Sequence, residues 1–167
     1  MIIFSYFIYF QNMIRLVRLE DIKILAMIYK EVWNNVGVWE LWSTESAENI
    51  MNYRYNKQPD LFFVAEEEWN PVGAIVSLVK PRCDWNKLID GDLFVAKEWQ
   101  KKHLWEQLLK KHLSEAKRLY NAKDIEFHTY GGEAEFPQNW YKRIWCSEEE
   151  GRIIMSWEIE NILKHLE

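Results

Sequence analysis

The residues whose side chains could take part in a reaction are acidic, histidine and tyrosine residues in the second half of the chain. Asp92 lies within an apolar run, Glu126 and His128 alternate along another, and Tyr141 stands in a short aromatic segment. A carboxylate or an imidazole can accept a proton from a reacting group, and a phenol can donate one to a leaving group. These residue types indicate proton transfer, with Asp92, Glu126 and His128 as candidate bases.

A candidate anion site precedes a long amphipathic pattern. The segment Gln100-Lys101-Lys102-His103-Leu104-Trp105 follows an apolar run at 93–96 and a short turn at 97–99. We expect it to form the first turn of a helix, where free backbone N–H groups and the helix dipole attract phosphate. The two lysines would add charge. The alternative is an ordinary solvated basic turn.

The elements that must position these residues follow from periodicity. Alternation predicts strands over 14–18, 61–65, 72–79, 88–96, 124–130 and 153–159. Helical spacing predicts a helix after Glu20, a second helix capped by Ser43 or Thr44, and a short helix from Pro137 to Trp145. The long helix between them is expected to bury Leu104, Leu108, Leu109, Leu113, Ala116 and Leu119. We expect an apolar N-terminal extension over 1–12 and a single domain over 13–167.

This element order resembles that of the Gcn5-related N-acetyltransferase (GNAT) family. In that family the long helix opens with Gln or Arg, two free positions, Gly, one free position, and Gly or Ala. Gln100 fits this pattern, whereas His103 and Trp105 occupy the two small-residue positions. Tyr141 fits the family's tyrosine in the last helix, although Cys146 stands where phenylalanine is usual. The resemblance implies an α/β fold, with a mixed, mostly antiparallel sheet splayed at its middle strands and helices on both faces.

The resemblance also implies an activity, direct transfer of an acyl group from acetyl-CoA to a small amine or to an amino group of a peptide or protein. Acetyl-CoA would be a co-substrate, without a metal. An N–H near Val95 would meet the thioester oxygen, with Phe94 close by, and Tyr141 would protonate the departing thiolate. Cofactor contacts are expected from the strand and the helix start, at Phe94, Val95, Gln100, Lys101, Lys102, His103, Leu104 and Trp105. Acceptor contacts are expected from the tryptophan-rich connection between the first two helices, at Trp39, Glu40 and Trp42.

Composition limits the remaining classes of function. A net charge of -5 disfavours nonspecific nucleic-acid binding, which draws its affinity from basic surface. The apolar extension is shorter than the ~20 residues that a spanning helix needs, so no membrane anchoring is expected. Two cysteines without metal-ligand spacing favour a reduced, cytoplasmic protein. A homodimer is left open. The alternative function is a noncatalytic protein of the same fold, with bulky side chains filling the cofactor groove.

Overall fold

A computed structural model describes residues 13–35, 40–100, 102–127, 138–144, 146–147 and 159. The chain divides into two compact units, residues 1–128 and residues 129–167. The expected extension over 1–12 lies outside the described residues. Of the strand expected over 153–159 only Ile159 is described, and it is helical.

The described residues of the first unit form a five-stranded sheet and three α-helices. The strands are β1 (Met13–Leu16), β2 (Phe63–Glu67), β3 (Asn70–Pro81), β4 (Asn86–Val95) and β5 (Ala122–Ile125), and they lie in that order across the sheet. Neighbouring strands are antiparallel except for the parallel pair of β4 and β5. The helices are α1 (Ile22–Asn35), α2 (Thr44–Lys57) and α3 (Leu104–Tyr120). This is the predicted fold class, with short 3-10 turns at the connections.

Helices cover both faces of the sheet because the strand side chains alternate. The face that packs against α1 and α2 buries Val64, Val76 and Phe94, together with Leu25 and Met51 of the helices. The opposite face, covered by α3, buries residues such as Phe63, Ile75, Leu88 and Val95. The candidate residues of β4 therefore alternate between an α1/α2 side and an α3 side.

The start and the buried face of α3 differ from the prediction. The helix begins at Leu104 rather than at Gln100, because His103 adopts a left-handed conformation that cannot continue a helical turn. Leu113 and Leu119 are exposed. The buried residues of α3 are Leu104, Leu108 and Ala116, as predicted, together with His112, which is fully buried. A histidine was read as polar and therefore omitted from the predicted core.

Several other element bounds also shift by a few residues. The strand expected at 61–65 lies at Phe63–Glu67, and the one expected to run from 124 to 130 begins at Ala122 and ends at Ile125. The cap of α2 is Ser43, whose hydroxyl accepts a hydrogen bond from the Ser46 N–H at 3.0 Å, as predicted. Among the described residues, no helix is both long enough and apolar enough to cross a bilayer.

Candidate active site

A β-bulge interrupts the middle of β4. The pairing between β3 and β4 shifts at this point, so that Asp90 and Gly91 together lie opposite Ser77. Asp90 has a φ of 55°, in the left-handed region that aspartate tolerates better than most residues. Such a bulge bends its strand and redirects the neighbouring side chains.

Strands β4 and β5 separate beyond this point. Their pairing covers Asn86 to Leu88, and the Glu126 N–H donates to the Leu88 carbonyl at 2.8 Å. From Ile89 to Val95, the described part of β5 provides no pairing partner for β4. The sheet is thus splayed at its middle strands, as the fold prediction required.

The backbone of Val95 faces this open edge. The Ala96 N–H donates to the Val72 carbonyl of β3 at 2.8 Å. Successive residues of an antiparallel strand direct their polar groups to opposite sides, so those of Val95 point away from β3. The Gln100 side chain donates to the Val95 carbonyl at 3.0 Å, which leaves the Val95 N–H directed toward the open edge.

Asp92 lies after the bulge, on the side of the sheet that α1 and α2 cover. Arg54 of α2 donates from Nε to Asp92 at 3.1 Å and from a terminal nitrogen to Asp90 at 2.5 Å. The Tyr29 hydroxyl of α1 lies 3.4 Å from the other Asp92 oxygen. Burial raises the pKa of Asp92 above its ordinary value, while Arg54 opposes that shift. The side chain is 12% exposed, against 57% for Asp90.

Aromatic rings surround Asp92 on this side. The Tyr29 ring meets Phe94 at a centroid distance of 5.2 Å and Trp42 at 5.1 Å, both edge to face. Asn34 holds the backbone of Trp42 through two hydrogen bonds, at 2.8 and 3.0 Å. The Phe94 side chain is fully buried, so any effect on a cofactor is through packing.

The other expected acceptor and base residues are distributed differently. Glu40 is half-buried near Tyr29, and its negative charge adds to the burial that raises the tyrosine pKa. Glu126 is instead bound by Lys87 at 3.0 Å, which occupies the carboxylate in an ion pair. Trp39 and His128 lie outside the described residues.

The start of α3 combines a strained backbone with an exposed side chain. His103 has a φ of 58°, and its side chain is 83% exposed and makes no capping hydrogen bond. Trp105 is half-buried against the core on the α3 side of the sheet. The Lys102 ammonium lies 3.7 Å from the centroid of the Trp99 ring. Leu104 is fully buried, so only its backbone is available to a ligand.

Tyr141 lies in the second unit, on helix α4 (Gln138–Arg143). Trp140 is buried, and its ring lies 5.1 Å from that of Tyr141, which is half-buried. The Cys146 N–H donates to the Tyr141 carbonyl at 3.0 Å and ends the helix. Lys101, in the first unit, and Trp145 lie outside the described residues.

Sequence reasoning missed Arg54 and Tyr29 as partners of Asp92. A signal for Arg54 was present, since it continues the buried face of α2 from Ala47 and Met51 at spacings of four and three. An arginine at an apolar helical position is rarely buried without a carboxylate partner. Tyr29 lies among the buried apolar residues of α1, so its spacing indicates packing rather than a polar contact.

Comparison with known proteins separates sequence from fold. No family model matches the sequence, and no curated protein matches it. Solved structures do match. A possible acetyltransferase from Clostridium difficile 630 aligns with a TM-score of 0.73 and 11% identity, over 89% of this chain and 97% of that one. The chain has the GNAT fold.

Two further structures with this GNAT fold contain the cofactor. Aminoglycoside N-acetyltransferase AAC(6')-Iy in complex with CoA aligns with a TM-score of 0.68 and 13% identity, over 89% of this chain and 95% of that one. A predicted acetyltransferase with acetyl-CoA from Clostridium acetobutylicum gives 0.69 and 13%, over 87% and 96%. At these identities the likeness shows the GNAT fold and leaves substrate and activity to the residues themselves.

Proposed function

We propose that this chain is an N-acyltransferase that moves an acetyl group from acetyl-CoA to a small amine or to a peptide or protein amino group. The observation that carries the proposal is the edge of β4 beyond Leu88, which the described part of β5 leaves unpaired. It combines a backbone N–H at Val95 with a half-buried carboxylate at Asp92. A donor for a developing oxyanion and a base are the two groups that direct acyl transfer needs.

The chemical steps follow from these groups. Asp92 takes a proton from the ammonium form of the acceptor, and the free amine attacks the thioester carbon. The Val95 N–H stabilises the negative charge that develops on the carbonyl oxygen. The carbon–sulfur bond then breaks, and Tyr141 is proposed to donate its proton to the departing thiolate. The acceptor nitrogen releases its second proton as the amide forms, and that proton restores the Tyr141 hydroxyl. The products are an N-acetylated acceptor and CoA, without a covalent enzyme intermediate.

The start of α3 supports cofactor binding. The backbone at position 103 is in the left-handed conformation, which glycine adopts most readily. The family pattern has glycine at this position. The His103 side chain is 83% exposed rather than packed in the protein, so a ligand can displace it from the turn, although glycine would leave more room. The helix dipole and the charge of Lys102 favour a pyrophosphate. Tyr29, Trp42 and Glu40 would hold a cationic acceptor beside Asp92.

A noncatalytic binding protein of the same fold is the second candidate. The observation that favours it is Trp105, a bulky side chain packed on the core where the family pattern has Gly or Ala. In that case the aromatic groups near Asp92 would bind a ligand without acyl transfer.

Calorimetric titration with acetyl-CoA and with CoA distinguishes the two candidates. We expect micromolar affinity, about -8 kcal/mol, followed by CoA release when a panel of amines and basic peptides is added. Desulfo-CoA serves as a control for turnover, because it retains the pyrophosphate but has no thiol to acylate. Absence of binding at millimolar ligand would reject the acyltransferase in favour of the noncatalytic protein.

A further inference from the structure

Arg54 is a buried cation that bridges two carboxylates across the bulge of β4. It is 5% exposed and contacts Asp92 through two nitrogens, at 3.1 and 2.9 Å, and Asp90 through a third. The desolvation of such a group is costly, and a buried ion pair is weak evidence for stability. The presence of this arginine on an otherwise apolar helix face therefore calls for another explanation.

We infer that Arg54 is a positioning residue, which fixes the Asp92 carboxylate beside the Tyr29 hydroxyl and keeps it ionised for proton transfer. This inference rests on the proposed role of Asp92 as the base. The guanidinium is suited to the task because its planar fork reaches two carboxylates at once. Asp90 in turn holds the other end of the fork, and the bulge brings it there.

The charged and hydrogen-bonding groups that act on Asp92 come from three described elements, and a fourth group acts through Tyr29. Arg54 of α2 is the cation in direct contact, Asp90 of β4 is the neighbouring anion, and Tyr29 of α1 is a hydrogen-bond donor. Glu40, in the connection before α2, acts on Tyr29. Of these groups, Arg54 is the one whose removal would strongly favour the protonated form of Asp92.

The test is a titration of the Asp92 carboxyl carbon by NMR, with the signal assigned from Asp92→Asn. In Arg54→Gln we expect the titration midpoint to rise by about one to three pH units, because an opposite charge in contact shifts a carboxyl by that amount. Arg54→Lys should give an intermediate midpoint, because it keeps the charge as a single point contact. It also carries the test if Arg54→Gln does not fold.

A matched control is available within the same unit. Arg15 also bridges two buried carboxylates, Asp21 and Glu66, and its described ion pairs include neither Asp90 nor Asp92. Arg15→Gln should leave the Asp92 midpoint at the wild-type value, even where it lowers the melting temperature. A merely structural role for Arg54 predicts the same result for both arginines.

The outcomes separate this inference from the proposed function. If the wild type acetylates an amine, the acid limb of its rate–pH profile should move upward with the NMR midpoint in Arg54→Lys, at an unchanged KM for acetyl-CoA. Equal midpoints in the wild type and both Arg54 variants would overturn the inference and leave the activity standing. Failure of the wild type to bind acetyl-CoA would reject the proposed function, and the midpoints would still decide whether Arg54 holds Asp92.

Discussion

The two halves of β4 each hold a buried cation between two carboxylates, with different consequences. In the paired half, Lys87 binds Asp124 of β5 and Glu126 just after that strand, both at 3.0 Å. In the splayed half, Arg54 binds Asp90 and Asp92. The lysine cluster joins two strands that are hydrogen-bonded to each other. The arginine cluster lies where β4 has no pairing partner in the described part of β5.

The difference lies in what surrounds the carboxylates. Asp124 is 47% and Glu126 34% exposed, so water solvates both and the ion pairs act mainly as a tie between strands. Asp92 is far less exposed, contacts a tyrosine hydroxyl, and lies on a strand with an open edge. The same charge arrangement thus serves cohesion at the paired half and is suited to proton transfer at the splayed half.

The largest expected effect comes from removing the charge of each carboxylate in turn. Asp92→Asn should lower kcat by about 10²- to 10⁴-fold, the usual contribution of a general base. Glu126→Gln should change kcat by less than about threefold, because its carboxylate is already committed to Lys87. Steady-state rates with acetyl-CoA and an accepted amine measure both. Comparable losses in the two variants would remove the functional distinction between the halves of β4.

Apolar periodicity and strand alternation, which are local signals, predicted the order of the elements within the described residues. The splayed sheet was implied by the resemblance to the GNAT family. Asp92 was a candidate base from its residue type and its place in an apolar run, and Val95 was a candidate from the resemblance; both roles remain predictions. The sequence did not predict the bulge at Asp90 or the burial of Arg54 and His112. The bulge depends on how β3 pairs with β4, and the burial of His112 depends on what packs against α3; a pattern along one chain contains neither. The burial of Arg54 did have a signal, in the spacing of the buried positions of α2.

The bulge is also held from its other face, by a neutral pair. The Ser77 hydroxyl and His112 Nε2 lie 2.7 Å apart, and burial lowers the pKa of His112 from 6.5 to about 4. The unfolded chain binds a proton there first, so this contribution is complete above pH 6.5 and is lost as the pH falls toward 4. We expect a loss of about 3 kcal/mol over that range.

Urea unfolding at a series of pH values measures this loss. His112→Gln keeps a polar group near Ser77 without a titrating ring, so its unfolding free energy should decline less over the same interval. Parallel declines in the two proteins would mean that His112 is not the group responsible for the pH dependence.

A smaller effect is expected from the contact between β3 and β4. A Cβ on Gly73 would lie 2.7 Å from the Phe94 carbonyl oxygen, a backbone atom that cannot move aside. Gly73→Ala should therefore push the strands apart and cost about 1–3 kcal/mol of unfolding free energy. Gly91→Ala in the bulge is the control, because its Cβ would meet nothing nearer than 3.6 Å. Denaturant midpoints that drop equally would show the bulge to be as tightly packed as the strand beside the open edge.

The smallest expected effect concerns the left-handed residues at the two ends of α3. His103 precedes the helix with a φ of 58°, and Asn121 follows it with a φ of 50°. Glycine adopts this conformation without the Cβ penalty, but it also loses more backbone entropy on folding. We expect His103→Gly to stabilise the protein by about 0.5–1 kcal/mol, and Asn121→Gly to change stability less, because asparagine already tolerates the conformation.

The two variants should differ in acetyl-CoA binding as well. Glycine at position 103 allows a pyrophosphate to approach the backbone before α3, so His103→Gly should also bind acetyl-CoA more tightly, whereas Asn121→Gly lies at the opposite end of the helix and should not. Thermal denaturation measures the stability of both proteins, and calorimetry measures their affinity. A gain in stability for His103→Gly without a gain in affinity would show that His103 costs only backbone strain. Cofactor binding would then depend on the open edge of β4 rather than on the start of α3.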